Sequence, residues 1–407
     1  MRNARLSPGA PLMDIGIADE RIVAIEPSLA AEAAEIDAAG RFVCGGLIES
    51  HIHLDKACVF DRTAPEPGRL ADAIRRTSQV KHDFTADDVY ARASSVLARA
   101  VTQGTQRMRT HVELDPIVGL RGLEGVRRSI ADFAWAIDVE ISVFAEEGLT
   151  NNPGTDELLV EALDSGVRVI GGAPGSDTDR AGQLLRVFEL AKRYDTDIDL
   201  HIDFGNVPED MDLDLVCRLT DRDKMGGRVT VAHVTKLTTH TLDAQRRTAR
   251  RLAEAGITLS VLPATDVFLM GRDQTDNIRR GVVNANLLLE EGANATLGSN
   301  NILNAFTPFG DCSLIRIANM YAHIAQVSTD ADLSACFDML TTRAARMLNH
   351  GDYGVAVGNP ADLLMFDAAS AVQVVRELRQ PLLALKHGRQ TMAWNPPVLM
   401  PPVADRS

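Results

Sequence analysis

Two hydrophobic periodicities alternate along the middle of the chain. Short apolar runs of strand type give way to longer stretches whose apolar positions recur every three or four residues, then return. Candidate strands are 44–53, 106–114, 137–146, 167–173, 196–204, 229–235, 258–264 and 294–300. Helical patterns lie between them, among them 87–103, 156–165, 183–194 and 241–255, the last stopped by Gly256. Strands alternating with helices predict a parallel sheet, and eight such units match a TIM (β/α)8 barrel. A doubly wound open sheet would alternate too, but no dinucleotide-type glycine fingerprint follows the first strand. The ends read differently. DIGIADERIVAIEP near the start, and NPADLLMFDA and PLLALKHGRQTMAW near the finish, have the texture of short strands. They predict a small β-sandwich domain built from both termini, 1–43 with 354–407, around a barrel of 44–353. MPPVADRS at the end reads as a loose tail.

Composition changes this picture little. The 407 residues are 45% hydrophobic and 24% charged, which is ordinary for a soluble globular protein. No apolar run approaches the ~18 residues of a membrane span, and the first residues lack the apolar core of a signal peptide. The expectation is a cytoplasmic protein without a membrane partner. A formal net charge of −14 argues against nucleic acid, whose phosphates it would repel. Cys44, Cys58, Cys217, Cys312 and Cys336 are scattered without CxxC spacing, as expected of reduced thiols. A closed homo-oligomer is the usual expectation for a soluble enzyme.

The candidate chemistry sits where strands end. In CGGLIESHIHLDK (44–56), His51 and His53 are two apart on a strand and project from one face. Converging neutral imidazoles suit a divalent metal. Later strand ends add His111 and Glu113, Glu146, His201 and Asp203, His233, and Asn300. Five histidines on four strand ends favour a metal centre over scattered structural histidines.

With these motifs in view, the chain resembles the amidohydrolase superfamily, in particular its cytosine-deaminase-like branch, which also holds ring amidohydrolases of s-triazines. The likeness runs from GGLIESHIH through THVE, FAEEG, His201, AHVTK and LGSNNILNAFTPFGD to DYGVAVGNPADLLMFD. It implies metal-dependent hydrolysis of a C–N bond in a small nitrogen heterocycle, by deamination or by opening of a cyclic amide. It implies one divalent ion, zinc or iron ahead of manganese, held by His51, His53 and His201, with Asn300 in the fourth ligand's place. His233 would orient the attacking water or shuttle its proton.

Two residues depart from the family pattern. The family carries an aspartate, ligand and base, where Asn300 stands. Its deaminases carry a glutamate where Phe204 stands, three residues after the strand-five histidine. Either the proton chemistry has moved, to Asp203, His233 or Glu146, or the reaction differs, or the chain is a catalytically silent small-molecule-binding relative. Asp203 is the acid–base candidate. Glu146, where cytosine deaminases have glutamine, only accepts hydrogen bonds when ionised and so suits an amino-substituted ring. Lys56 and Arg272 complete the expected substrate-binding set.

Overall fold

The structure is a computed structural model that describes residues 1–30, 34–63 and 68–400. Fourteen strands are described: β1 (Asp14–Ala18), β2 (Arg21–Glu26), β3 (Phe42–Gly45), β4 (Leu47–Ile52), β5 (Thr105–Glu113), β6 (Asp138–Ala145), β7 (Val169–Gly172), β8 (Asp197–Ile202), β9 (Val229–His233), β10 (Ile257–Val261), β11 (Asn294–Leu297), β12 (Leu363–Phe366), β13 (Pro381–Lys386) and β14 (Arg389–Ala393). Strands β4 to β11 form one parallel eight-stranded sheet in sequence order. β4 and β11 approach each other, and the ring is closed just beyond them, where Ile52 bridges Asn300. His53 N–H donates to the Asn300 carbonyl (2.9 Å) and Asn300 N–H to that of His51 (2.8 Å). The fold is a TIM barrel.

Helices cover the outside of the ring because their apolar faces need the strands' outer side chains. Those at Ala86–Thr102, Arg180–Tyr194 and Leu242–Ala255 start at Thr85, Asp179 and Thr241, whose side chains accept a backbone N–H of the first turn. The outer core joins Leu184, Val187 and Phe188 to Ile198, Leu200 and Val231.

The terminal segments form a four-stranded antiparallel sheet, β14-β13-β12-β3, and the β1-β2 hairpin. Ile15 and Ile22 of the hairpin share a core with Val43, Leu363, Met365 and Leu385 of the larger sheet. The last seven residues of the expected tail, 401–407, lie outside the described residues.

One expected strand proves to be two. The run 44–53 is divided at Gly46: β3 pairs with β12 in the terminal sheet, and β4 pairs with β5 in the barrel. Gly46 permits the passage, since a Cβ there would overlap the Gln106 side chain. The barrel strands stop one to three residues short of their expected ends, and three of them do so at left-handed turns. Asp203 (φ 54°), His233 (φ 71°) and Asn300 (φ 60°) adopt left-handed backbone at the tops of β8, β9 and β11. Hydrophobic pattern carries no sign of such turns, which cluster at functional sites.

Candidate active site

Alternation along β4 aims Glu49, His51 and His53 into the barrel, and β8 does the same for Asp199 and His201. His51 Nε2 lies 2.9 Å from His201 Nε2, which lies 3.2 Å from His53 Nε2. Three ring nitrogens thus converge on one point, while the Nδ1 atom of each ring has no hydrogen-bond partner. Burial, reinforced by neighbouring histidines and, for His53 and His201, by Lys56, holds all three well below the usual imidazole range. Neutral lone pairs meeting at one point are poorly satisfied by each other and well satisfied by a divalent cation.

Asn300 joins them through the closing seam. Its side-chain nitrogen stands 3.4 Å from His233 Nε2, and its side-chain oxygen is buried without a partner. The donor set fits a metal: three imidazole nitrogens and an orphaned amide oxygen.

His233 is held from the other side by Asp266. Its Nδ1 lies 2.6 Å from Asp266 Oδ1, so Nδ1 carries the proton and Nε2 keeps its lone pair. Burial pushes the Asp266 carboxyl up and the His233 contact pulls it back down, leaving it above the ordinary aspartate value. Asp266, on the short helix Pro263–Leu269 after β10, was missed in the sequence. Its one sequence signal is a lone acid beyond the strand top in VLPATD. Phe204 meets the His233 ring edge-on, centroids 5.3 Å apart.

His53, His201, Phe204, His233 and Asn300 line a cavity of about 290 Å³, with Leu70, Ile74, Leu269 and Phe306 as apolar walls. Lys56 and Glu146 both face it, paired at 2.8 Å, and the Lys56 ammonium lies over the Phe306 ring. Burial works against the ammonium, but Glu146, Glu113 and Asp55 outweigh it and hold its pKa above the ordinary lysine value.

Asp203 lines the same cavity, whereas Arg272 does not. Both oxygens of Asp203 accept backbone N–H groups, from Asp212 (2.8 Å) and Leu213 (3.0 Å), so its carboxylate ties down the loop before helix Leu213–Asp223. Burial raises it to about 6. Arg272 is outside the cavity. It stacks on Phe268 and lines a separate depression with Gln274, Ile278 and Arg280. His111 is brought in too, stacked on the His51 ring at 3.8 Å rather than joining the three converging Nε2 atoms.

Behind Lys56 lies a buried charge cluster. Lys81 donates to Glu113 (2.7 Å), to Glu147 (2.5 Å) and to Asp115. Glu113 also faces Lys56 (3.9 Å) and the Glu146 carboxylate, and its backbone N–H donates to Asp55. One ammonium among three carboxylates, two of them buried and the third, of Glu147, partly exposed, leaves excess negative charge. Burial first, with Glu146 and Asp115 adding repulsion against the pull of Lys81 and Lys56, raises the Glu113 carboxyl to about 8. A carboxyl raised on folding stabilises fully below its unfolded value, near 4.5, and that stability is lost as pH rises through about 8. Glu113 should therefore add a falling slope to the unfolding free energy between pH 5 and 8, of up to ~1.4 kcal/mol per pH unit, set against the rising slope that the buried neutral histidines add below about pH 6.5. Glu113→Gln, which mimics the protonated acid, should flatten this slope; urea titrations at several pH values with equal slopes would refute the assignment.

Comparison with known proteins agrees with this geometry. The chain is 30% identical to 5-methylcytosine deaminase from Klebsiella pneumoniae, solved with phosphonocytosine; the match covers 98% of this chain and 99% of that one, with a TM-score of 0.93. It is 26% identical to N-isopropylammelide isopropyl amidohydrolase of Pseudomonas sp. (strain ADP), over 96% of each chain. It is 27% identical to pterin deaminase of Rhizobium rhizogenes (strain K84 / ATCC BAA-868), over 94% of this chain and 88% of that one. The amidohydrolase family profile matches residues 68–392, a span that takes in β5 to β13 and, with them, His201, His233 and Asn300. On that match and those relatives, the chain belongs to the amidohydrolase family and is a hydrolase of non-peptide C–N bonds.

Proposed function

We propose that this protein deaminates a small amino-substituted nitrogen heterocycle, with one divalent cation held by His51, His53, His201 and the Asn300 side-chain oxygen. The observation that carries this reading is the convergence of three neutral Nε2 atoms beside an unpartnered amide oxygen at the cavity floor. Zinc or iron suits such a nitrogen-rich set ahead of manganese. When bound, the cation supplies Lewis acidity, which makes water acidic enough to lose a proton near neutral pH.

The chain's own residues do the rest. Asn300 is a neutral amide and takes up no proton from water. His233 does, because Asp266 fixes the proton on Nδ1 and leaves Nε2 as the acceptor. The same nitrogen returns the proton to the leaving amine as the C–N bond breaks. Lys56 and Glu146 lie side by side as donor and acceptor, and together hold a ring edge that carries a carbonyl and an N–H. Phe204 and Phe306 supply apolar walls for a flat ring. Asp203 serves this site by holding its loop, and Arg272 has no part in it.

The substrate is thus a small heterocycle, in line with the substrates named for the cytosine, pterin and ammelide relatives. Among the described residues no helix is long and apolar enough to cross a membrane, and all five cysteines are free. We place the enzyme in the cytoplasm, as a homo-oligomer.

The test joins metal analysis of purified protein to a screen for ammonia release from amino-pyrimidines, amino-triazines and pterins. About one metal per chain, with turnover abolished by chelation and restored by zinc or iron, is the expected result. Metal-free native protein that takes up metal only after Asn300→Asp would overturn it and leave a ligand-binding relative in its place.

A further inference from the structure

The barrel interior beneath the cation site holds polar groups that the reaction does not use. Asp199, two residues before His201 on β8, is wholly buried, as is His111 on β5. Asp199 Oδ2 accepts from Arg109 Nη1 at 3.0 Å, and Arg109 Nε in turn donates to Glu140 at 2.7 Å. Asp199 Oδ1 has no hydrogen-bond partner, though His111 Nε2 stands 3.4 Å away and His51 Nδ1 3.8 Å away. Neither of those nitrogens has a partner either. Three unpaired atoms facing one another in a dry interior are costly, unless a small shift of the rings pairs them.

We propose that Asp199 is a positioning residue for the cation: it accepts the Nδ1 proton of His51 when His51 binds through Nε2, and so strengthens the grip of the site. This rests on the metal-centre reading above. Once the Nε2 lone pair of His51 is engaged, its ring proton sits on Nδ1 and needs an acceptor. Asp199 Oδ1 is an anionic one, with His111 stacked on the His51 ring to keep it in plane. Arg109, ion-paired to Asp199 Oδ2 at 3.0 Å, backs the carboxylate from the side away from the His51 ring. The arrangement bears on Asn300. A neutral amide brings no charge to the cation, and a carboxylate acting through the His51 ring supplies some of what is missing.

The experiment is Zn²⁺ binding by chelator competition, for wild type, Asp199→Asn, Asn300→Asp and the double variant. Asp199→Asn should weaken Zn²⁺ binding by about 10- to 100-fold. In the Asn300→Asp background, where a ligand carboxylate brings the charge, the loss should be smaller. A merely structural role would lower the thermal stability of metal-free protein and leave the Zn²⁺ affinity alone. Equal affinity of wild type and Asp199→Asn overturns the proposal and leaves the hydrolase reading standing; a wild type that binds no Zn²⁺ overturns both. A second measurement needs no variant. In Zn²⁺-loaded wild type, NMR of the histidine rings should show a His51 Nδ1 proton protected from exchange, and a freely exchanging one counts against the idea.

Discussion

Asp266→Asn should lower kcat by about 100- to 10,000-fold while leaving bound metal unchanged. The side chain is buried, it is of the same size after substitution, and it touches none of the proposed ligand histidines, so the cation site stays intact. What changes is the proton on His233. An asparagine amide turned toward Nδ1 donates to it, which moves the ring proton to Nε2. The nitrogen that faces Asn300 and the attacking water is then already protonated and takes up nothing. Steady-state rates on the best substrate, with metal content measured on the same samples, would decide. A loss below about threefold would remove Asp266 from the machinery and take the tautomer argument with it.

The other large effect is expected at His201. His201→Ala removes the nitrogen that lies within 2.9–3.2 Å of both partners, leaving the remaining two without their common neighbour. Metal content should fall to a small fraction of one per chain, and turnover by more than about 10⁴-fold, since water without a Lewis acid is a feeble nucleophile at neutral pH. The ring also stacks on Phe144, so circular dichroism must first show that the fold has survived its loss. Full activity in a folded, metal-free His201→Ala protein would end the metal mechanism.

Periodicity made much of this molecule legible. An HxH at a strand top declares two side chains on one face, because a strand repeats every two residues, and His51 and His53 are found so disposed. Hydrophobic runs likewise located β5 to β10 to within a few residues, since most of their positions are buried. Partnerships across the barrel were not legible. Asp266 and His233 are 33 positions apart, and Lys56 and Glu146 are 90 apart; the first pair joins the tops of adjacent strands β9 and β10, the second those of β4 and β6 across β5. Asp203 shows the converse. Its place at a strand top suggests chemistry, but the returning N–H groups of Asp212 and Leu213 occupy both its oxygens. Arg272 lines a different depression from the one the histidines face, and its place in the sequence after β10 carries no sign of which. The break at Gly46 was equally silent, for an apolar run reads the same whether it serves one sheet or two.

The place where the ring closes has a bearing on how the protein is made. The residues that meet there, His51 and His53 with Asn300, come from near the start and from the far end of the barrel sequence, and two backbone hydrogen bonds join them. Bringing such distant segments together carries a heavy loop-closure cost and tends to come late in folding. A cation held by His51, His53 and Asn300, as proposed, would fasten this join, and by mass action would favour the closed chain over any opened one. Metal supply during synthesis would then govern how much chain reaches the closed state and escapes proteolysis, in addition to how much of it is active.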